Sequence, residues 1–384
     1  MAVAAAVLLA LVAGSFVYCL LVVVAARRYL AARPPQLSHP VPISMLKPLH
    51  GLDEGLEENL RSYFQQDYPQ FEILFAVREA GDPAVAVVEK LRQEFPHVPA
   101  RLLVTGEPPY PNAKVFSLYL MLAQARYDLL AMTDSDTRAA PQMLARVAAE
   151  FQDERLGVAT CPYRAVPGRS LWSTLEAIGM NTEFLAGLLV ARLVEGVKFA
   201  VGPCVVARRE TLERMGGFDR LKDYLAEDFV MGAFAAGLGY RVILSSCVIE
   251  HRIGRQGLGA NLAHRLRWAR STRRSRRKGY AGQLFTYPLP LALLLAVVQP
   301  SWWPVVVLAA VFRSVAAWAT AGWVLHDPLT ARRWWLLPLQ DLASFAFWMA
   351  GFFGNTITWR GQCYYLFPDG RFELAESRRR GPAR

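Results

Sequence analysis

The stretch LLAMTDSD, residues 129–136, decides how the rest of the chain can be interpreted. An apolar run typical of a buried parallel strand ends in two acids, Asp134 and Asp136, separated by one small residue. In open α/β sheets, ligands bind beyond the carboxyl ends of the strands. Two carboxylates there suit a hard divalent cation that holds a diphosphate. An Asp-capped turn before a helix explains the same residues, so the stretch alone leaves both interpretations open.

Composition points to a membrane protein with a water-soluble middle. Apolar residues make up 53% of the 384 residues, and they are concentrated in the first two dozen residues and the last quarter. The net charge of +11 collects beside these apolar ends, which favours anionic lipid headgroups over nucleic acid as a partner. The five cysteines form no Cys-x-x-Cys pair, so we expect a reducing compartment and neither a zinc site nor disulfides.

The two apolar ends predict a regional organisation. Residues 1–26 precede Arg27 and Arg28, which predicts a signal-anchor helix with its amino end outside the cytoplasm. Pro288 and Pro290 lie in a short apolar stretch that fits an interfacial or re-entrant segment. The expected regions are a transmembrane anchor (1–26), a linker (27–40), a cytosolic α/β domain (41–282), membrane segments (283–358) and a basic tail (359–384).

Within the soluble region, strands and helices alternate. Apolar runs predict strands at 41–49, 71–77, 100–105 and 128–133, with helices between them. This alternation indicates a parallel sheet with right-handed crossovers. The apolar helix predicted at 171–193 carries several charged or polar side chains, so we expect it to pack or lie at the interface rather than cross the membrane.

Acidic residues recur at comparable places in this scaffold. Asp82 follows the second strand in an Asp-Pro turn, and Asp228 opens a helix further on. Taken alone, the first is typical of a structural turn and the second of a helix cap. Together with Asp134, Asp136 and a later Arg267-Trp268 pair, they form an ordered set.

This ordered set closely resembles the ceramide glucosyltransferase family and its bacterial relatives, which are inverting, membrane-attached enzymes with a GT-A nucleotide-sugar fold. Each matching element is weak alone, but their order, with a membrane segment at both ends, is specific. The matching elements are Lys47-Pro48-Leu49-His50-Gly51, Asn59-Leu60 to Asp67-Tyr68-Pro69, Asp82-Pro83-Ala84, Asn112 and Lys114, Tyr127-Asp128-Leu129, Asp134-Ser135, Ala226-Glu227-Asp228, Arg267-Trp268 and Trp359-Arg360.

The resemblance implies a role for each position. Asp228 is the expected general base, because a hydroxyl that attacks an anomeric carbon must lose its proton. The expected metal ligands are Asp136, as the direct ligand, and Asp134, with Mg²⁺ or Mn²⁺ as the cation. The expected nucleotide- and substrate-binding residues are Lys47, Asp82, Lys114, Asp134, His264, Arg267 and Trp268.

Two features leave alternatives open. His264 stands where the family usually has Gln or Arg, and Lys114 can equally be a solvated helix lysine. The dense basic residues after Trp268 are better explained as a juxtamembrane patch on anionic lipids. These residues are Arg270, Arg273, Arg274, Arg276, Arg277 and Lys278.

The sequence therefore predicts a membrane-bound inverting transferase that moves a sugar, glucose first, from a UDP-sugar to the hydroxyl of a membrane lipid. By resemblance the acceptor is ceramide, and a hopanoid acceptor with N-acetylglucosamine is the main alternative. A processive polysaccharide synthase and a non-catalytic membrane scaffold are further alternatives. We expect the catalytic domain to face the cytoplasm at a bacterial inner membrane, with the lipid bilayer and no nucleic acid as partner.

Overall fold

A computed structural model of the protein describes residues 2–359 and 361–376. The strands are β1 (Ile43–Pro48), β2 (Phe71–Val77), β3 (Ala100–Val104), β4 (Leu129–Thr133), β5 (Thr137–Arg138), β6 (Leu156–Thr160), β7 (Tyr163–Pro167), β8 (Cys204–Arg208), β9 (Arg241–Leu244), β10 (Ile249–Ile253), β11 (Thr356–Trp359), β12 (Gln362–Leu366) and β13 (Phe372–Leu374). The α-helices are α1 (Ala2–Ala31), α2 (Leu56–Phe64), α3 (Ala84–Glu94), α4 (Ala113–Gln124), α5 (Met143–Glu150), α6 (Leu171–Gly179), α7 (Leu185–Val194), α8 (Arg209–Arg214), α9 (Glu227–Gly237), α10 (Leu258–Ser275), α11 (Arg277–Gly282), α12 (Pro288–Val298), α13 (Trp303–Ala317), α14 (Pro328–Arg332) and α15 (Leu337–Gly351).

The chain forms two compact units, each assembled from separate stretches. The apolar unit comprises the described parts of 1–32, 164–196 and 255–361. The sheet unit comprises the described parts of 33–163, 197–254 and 362–384. Arg360, which closes the last family element, and the end of the basic tail lie outside the described residues.

The sheet unit contains a mixed sheet with the strand order β3-β2-β1-β4-β8-β6-β9. Strands β3, β2, β1 and β4 are parallel, as predicted. Strand β8 is antiparallel to β4 and to β6, so the sheet as a whole is mixed beyond the four strands from which the parallel arrangement was predicted. Strand alternation could not reveal this reversal, because β8 follows a long excursion of the chain through residues 161–203 rather than a single crossover helix.

The order of the strands indicates where a ligand would bind, which is beside β4. The chain runs outward from β1 through β2 to β3 and then returns to add β4 on the other side of β1. Ligands in open α/β sheets bind at such a reversal, beyond the carboxyl ends of the strands. Both β1 and β4 are buried along most of their length, which explains their nearly continuous apolar sequences.

Helices α4 and α9 pack on the same core as these strands. Val115 and Leu118 of α4 and Met231 of α9 join Leu46 and Met132 in one buried cluster. Removing apolar surface from water stabilises this arrangement by about 25 cal/mol for each Å² buried. The packing therefore places the amino ends of both helices around the carboxyl end of β4.

In the apolar unit, three helical segments are long and apolar enough to cross a membrane: Ala2–Ala31, Leu171–Val194 and Pro300–Val324. The segments Arg277–Thr286 and Pro288–Val298 together meet the same test but are bent by 64°. This bend fits the interfacial or re-entrant segment that the prolines predicted. The fifteen-residue α15 is shorter than the roughly 20 residues that a span requires.

The helical segment Leu171–Val194 meets the length and hydropathy of a span although we expected its polar residues to prevent this. The structure shows how these residues are accommodated. Asn181 exchanges hydrogen bonds with the backbone of Ala165 and donates to Asp327, and Glu183 accepts from the Tyr287 hydroxyl at 2.8 Å. Buried polar groups are tolerated when they are hydrogen-bonded, and these contacts pack the segment against other parts of the apolar unit, so its packing or crossing stays a prediction.

Candidate active site

The Asp134–Asp136 turn follows β4 directly, and the side chain of Lys47 in β1 holds it in place by hydrogen bonds. The Lys47 Nζ donates to Thr133 Oγ1 at 2.8 Å and to the Asp134 carbonyl at 3.0 Å, and it lies 3.6 Å from the ring centroid of Tyr63. The side chain is fully buried, and burial lowers its pKa to about 7. The enclosed ammonium is thus engaged by the turn itself, and the nucleotide contact of Lys47 stays a prediction.

Lys114 lies between two carboxylates at the start of α4. Its Nζ is 2.7 Å from Asp134 Oδ1 and 3.1 Å from Glu227 Oε1. Burial alone would lower the pKa of Lys114, but Asp134 and Glu227 outweigh it and raise the pKa. The interpretation of Lys114 as a solvated helix lysine is therefore wrong, and its charge belongs to the Asp134 cluster.

Asn112 joins the starts of α4 and α9. Its side-chain oxygen accepts from the Val115 N–H, which caps α4, and its Nδ2 donates to the Tyr224 carbonyl at 2.9 Å. The same Nδ2 lies 3.4 Å from Glu227 Oε2. Asn112 is fully buried, so this bridge fixes the position of Glu227 and of the neighbouring Asp228.

Asp228, the second residue of α9, remains partly exposed. Burial of the carboxyl group, reinforced by neighbouring Glu227 and opposed by Lys114, raises the pKa of Asp228 to about 7. A Cβ atom at Gly202 would lie only 3.0 Å from Asp228 Oδ2 and 3.8 Å from Lys114 Nζ. The glycine therefore keeps space open beside the two charged groups.

Asp136 faces His251, which the sequence analysis did not select. The antiparallel pairing of β10 with β5 sets His251 opposite Thr137, and its Nε2 lies 3.1 Å from Asp136 Oδ2. Burial would raise the pKa of Asp136, but His251, Lys114 and Lys47 outweigh it and lower the pKa. In the sequence, His251 is a histidine within a short alternating stretch. Such a stretch does not reveal that the histidine contacts Asp136.

One observation at Asp136 tests whether a cation fits. Its Oδ1 is buried and has no hydrogen-bond partner within the described part of the chain, so this oxygen lacks the compensation that buried polar atoms normally have. Within that part, no group of three or more His, Cys, Asp or Glu side chains is arranged to hold a metal. The arrangement fits a cation that takes Asp136 and His251 as ligands and its remaining ligands from a diphosphate and water.

Asp82 lies at the carboxyl end of β2 and binds backbone groups. Its carboxylate accepts from the Gly51 N–H at 3.0 and 3.1 Å and from the Ala84 N–H at 2.9 Å. Asp82 therefore has the contacts of a structural turn residue. Because these contacts join the ends of β1 and β2, Asp82 also shapes the edge of the sheet where a nucleotide would bind.

His264, Arg267 and Trp268 lie on α10 in the apolar unit, whereas the aspartates belong to the sheet unit. His264 Nδ1 is 2.6 Å from Glu176 Oε1. The Trp268 ring packs edge-on against His264, with ring centroids 5.6 Å apart, and against Phe184 at 5.8 Å. Glu176 is one of the charged side chains in the apolar helix predicted at 171–193.

Three of the basic residues after Trp268 contact protein groups. Arg270 donates to the carbonyl of Phe353 at 3.0 Å, and Arg273 donates to the Gly354 carbonyl at 2.8 Å. Arg276 pairs with Glu195 at 2.6 Å. Through these contacts the helix holds the segment that follows α15 and the end of α7, and the interpretation of the basic residues as a lipid patch stays a prediction.

Comparison with known proteins identifies the family. The sequence profile of glycosyl transferase family 21 matches residues 6–372, nearly the whole chain. The chain belongs to this family. Family 21 membership confirms the resemblance on which the site residues were chosen.

The curated relatives are ceramide glucosyltransferases. Ceramide glucosyltransferase 1 of Caenorhabditis elegans is 29% identical over 206 residues, which cover 53% of this chain and 44% of the relative. Ceramide glucosyltransferase 3 of the same organism is 28% identical over 248 residues, which cover 62% of this chain and 53% of the relative. The matched region thus spans about half the length of these family 21 relatives.

A solved structure supports the fold. The mannosyltransferase PcManGT of Pyrobaculum calidifontis, in complex with GDP-Man and Mn²⁺, superposes with a TM-score of 0.55 at 21% identity. The superposition covers 90% of this chain and 98% of that one. The predicted α/β fold of the GT-A type is therefore confirmed.

Proposed function

We propose that this family 21 protein is a membrane-attached inverting glycosyltransferase that moves glucose from UDP-glucose to a hydroxyl of ceramide. One observation carries the proposal: Lys114 pairs with Asp134 at the end of β4 and with Glu227, the neighbour of Asp228, at the start of α9. This arrangement supports a donor site beside a general base. The names of the curated relatives support the sugar and the lipid.

The donor side of the site is built from Lys114, Asp134 and Asp82. Lys114 is a point charge that can pair with a diphosphate oxygen once the donor competes for its two carboxylate partners. Asp82, at the neighbouring strand end, is the proposed contact for the base or ribose, since a carboxylate accepts from N–H and hydroxyl groups. Lys47 acts indirectly, by holding the Asp134 backbone in place.

Asp136 and His251 are the proposed protein ligands of a divalent cation, Mg²⁺ or Mn²⁺. When bound there, the cation would neutralise the charge that grows on the departing nucleoside diphosphate. The Asp134 carboxylate is already paired with Lys114, so we assign it to electrostatic control of the site rather than to direct coordination. The Mn²⁺ in PcManGT supports a cation in a protein of this fold.

Asp228 is the proposed general base. A hydroxyl is a weak nucleophile at neutral pH, so a carboxylate within hydrogen-bond reach must accept its proton as it attacks from the face opposite the leaving group. The Glu227 carboxylate is engaged by Lys114 and Asn112. Asp228, with a pKa of about 7, is therefore better matched to accept a proton near neutral pH.

The acceptor side involves α10 and the membrane. By the family resemblance Arg267 is a phosphate-binding residue, because guanidinium groups bind phosphate oxygens in a planar fork, and Trp268 is an apolar wall for sugar or lipid. We assign His264, together with Trp268, to binding of the acceptor. The candidate spans hold the protein at a bilayer, and Arg27 and Arg28 after the first apolar stretch support a cytoplasmic catalytic side.

The substrates are tested with purified protein in lipid nanodiscs that contain ceramide or a hopanoid, supplied with labelled UDP-glucose or UDP-GlcNAc. We expect label in the ceramide product with UDP-glucose, and none from the matched Asp228→Asn variant. Transfer of GlcNAc to hopanoid alone would replace the proposed substrates while keeping the reaction. A labelled polymer would contradict single-sugar transfer, and unchanged transfer by Asp228→Asn would contradict the role of the base.

A further inference from the structure

Glu176 is a buried carboxylate in the apolar helix that begins with α6. Its side chain is 5% exposed, and an unpaired charge in such a place would cost several kcal/mol. Both of its oxygens are paired with α10: Oε1 with His264 Nδ1 at 2.6 Å and Oε2 with Asn261 Nδ2 at 2.5 Å. An apolar side chain of the same volume would fill this space without the cost of burying a charge. We therefore look for the role of Glu176 in its hydrogen bonds to α10.

The contact defines the state of the His264 ring. A carboxylate oxygen only accepts hydrogen bonds, so the hydrogen of this contact resides on Nδ1 of the histidine. In a neutral imidazole with hydrogen on Nδ1, the other nitrogen, Nε2, carries a lone pair and accepts hydrogen bonds. In its neutral form, His264 held by Glu176 therefore offers Nε2, on the far side of the ring, as a hydrogen-bond acceptor.

The aromatic neighbours of His264 limit which groups can contact its Nε2. Trp268, one turn further along α10, packs against His264, and Phe184 packs against Trp268. The side chain of His264 remains 24% exposed. A hydrogen-bond acceptor beside two apolar rings suits a group that carries an O–H or amide N–H next to hydrocarbon, as a lipid headgroup does.

We propose that Glu176 is a positioning residue that holds His264 with Nε2 as the hydrogen-bond acceptor for an O–H or N–H group in the polar headgroup of the lipid acceptor. This inference rests on the proposed function, in which His264 and Trp268 serve the acceptor. Glu176 touches no reacting atom and acts only through His264. Its effect is therefore on acceptor binding and not on donor binding.

Four variants test the inference through the KM values for lipid and for UDP-sugar. Glu176→Leu removes the partner of Nδ1 and should raise the lipid KM about tenfold, the effect of one lost buried hydrogen bond, while the UDP-sugar KM stays within twofold. Glu176→Gln keeps an accepting oxygen and should change the lipid KM by less than about threefold. His264→Ala should match Glu176→Leu, whereas His264→Gln should stay near wild type, since its amide donates to Glu176 and its carbonyl accepts from the lipid.

The double variant Glu176→Leu/His264→Ala shows whether Glu176 acts through His264. We expect it to be no worse than His264→Ala alone, because coupled residues are non-additive. Glu195→Gln, at the end of the same apolar helix, is the matched control and should leave both KM values unchanged. Thermal unfolding of each variant identifies those that fold.

Several outcomes would overturn the inference. Equal increases in the KM values for lipid and donor, or additive effects in the double variant, would show a general structural role. If Glu176→Leu does not fold, the two His264 variants decide, and an equal loss in both contradicts the inference. Absence of transfer by wild-type protein would instead refute the proposed function, which separates the two failures.

Discussion

At the scale of single residues, the account depends most on the ionisation of Asp228. Its carboxyl group has a pKa of about 7 because burial and neighbouring Glu227 disfavour the charged form. A general base works only when it is deprotonated, so kcat/KM should fall about tenfold for each pH unit below about 7. Steady-state kinetics between pH 5.5 and 8.5 with saturating cation measure this decrease in kcat/KM. A flat profile down to pH 5.5 would contradict the assignment.

The same pKa predicts that removal of this carboxylate stabilises the fold. A raised pKa means that the folded state favours the protonated form, so stability is lost as pH rises through about 7. Asp228→Asn escapes this loss and should be more stable than wild type at pH 8, by at most about 4 kcal/mol, with little difference at pH 4. Thermal unfolding at both pH values checks this. Equal stabilisation at both would contradict the sign.

Asp136 and His251 make a prediction about cation choice. Imidazole is a softer ligand than carboxylate, and Mg²⁺ prefers oxygen ligands more strongly than Mn²⁺ does. His251→Ala should therefore weaken Mn²⁺ binding in the presence of UDP by about tenfold or more and weaken Mg²⁺ binding less. Calorimetric titration measures both affinities, with the exposed His97→Ala as control. Unchanged Mn²⁺ affinity in His251→Ala would exclude His251 as a ligand.

Sequence reasoning found the acids but not their partners. Asp134, Asp136 and Asp228 lie next to strand or helix boundaries, and such positions can be read from local periodicity. The contacts of Asp136 with His251 and of Lys114 with Glu227 join residues far apart in the chain. They depend on how β5 pairs with β10 and how α4 packs beside α9, which no local pattern specifies.

At the scale of elements, α9 is positioned by a close backbone contact at Gly232. A Cβ at this residue would lie 2.3 Å from the carbonyl carbon of Phe199 and 2.4 Å from the Ala200 nitrogen. Backbone atoms cannot move aside as side chains do, so the helix must shift. The segment that leads to Gly202, beside Asp228, is thus fixed against α9.

Gly232→Ala should therefore destabilise the protein by about 1–3 kcal/mol and lower kcat through displacement of Asp228. The matched control is Gly237→Ala on the same helix, where an added Cβ meets nothing within 4 Å. We expect the control to keep wild-type kcat. Thermal unfolding and initial rates measure both effects, and similar behaviour of the two variants would contradict this view of α9.

Elements were predictable where the pattern was strong. The strands β1, β2 and β4 are apolar and buried, and their positions follow from the sequence alone. The two-residue β5 has no period to detect, and the direction of β8 depends on the path of the chain outside the sheet. Local sequence patterns thus predicted the parallel strands of the sheet but not the antiparallel direction of β8.

At the scale of the whole molecule, the apolar unit contains a buried ion pair that ties α13 to α15. Arg313 Nε lies 3.0 and 2.9 Å from the two carboxylate oxygens of Asp341, and its Nη2 donates to Thr182 Oγ1 at 2.9 Å. Both charged side chains are at most 5% exposed. Removal of one partner leaves the other charge buried and unpaired.

Arg313→Met or Asp341→Leu alone should therefore cost about 3–5 kcal/mol, whereas the double change Arg313→Met/Asp341→Leu should recover much of this loss. Unfolding in one fixed detergent compares the three variants. Additive losses in the double variant would show that the pair contributes through something other than charge compensation. The test uses no enzymatic readout, so it examines the membrane architecture separately from catalysis.

The central claim is an inverting transfer to a membrane lipid with Asp228 as the base. It is tested most directly by mass spectrometry and NMR of the lipids from a ceramide-supplied host that expresses the wild-type chain or Asp228→Asn at equal levels. The account predicts a β-linked monohexosyl ceramide with the wild-type chain and a decrease of about 10²–10⁴-fold in the variant. An α-linked product, or equal amounts of product from both chains, would contradict it.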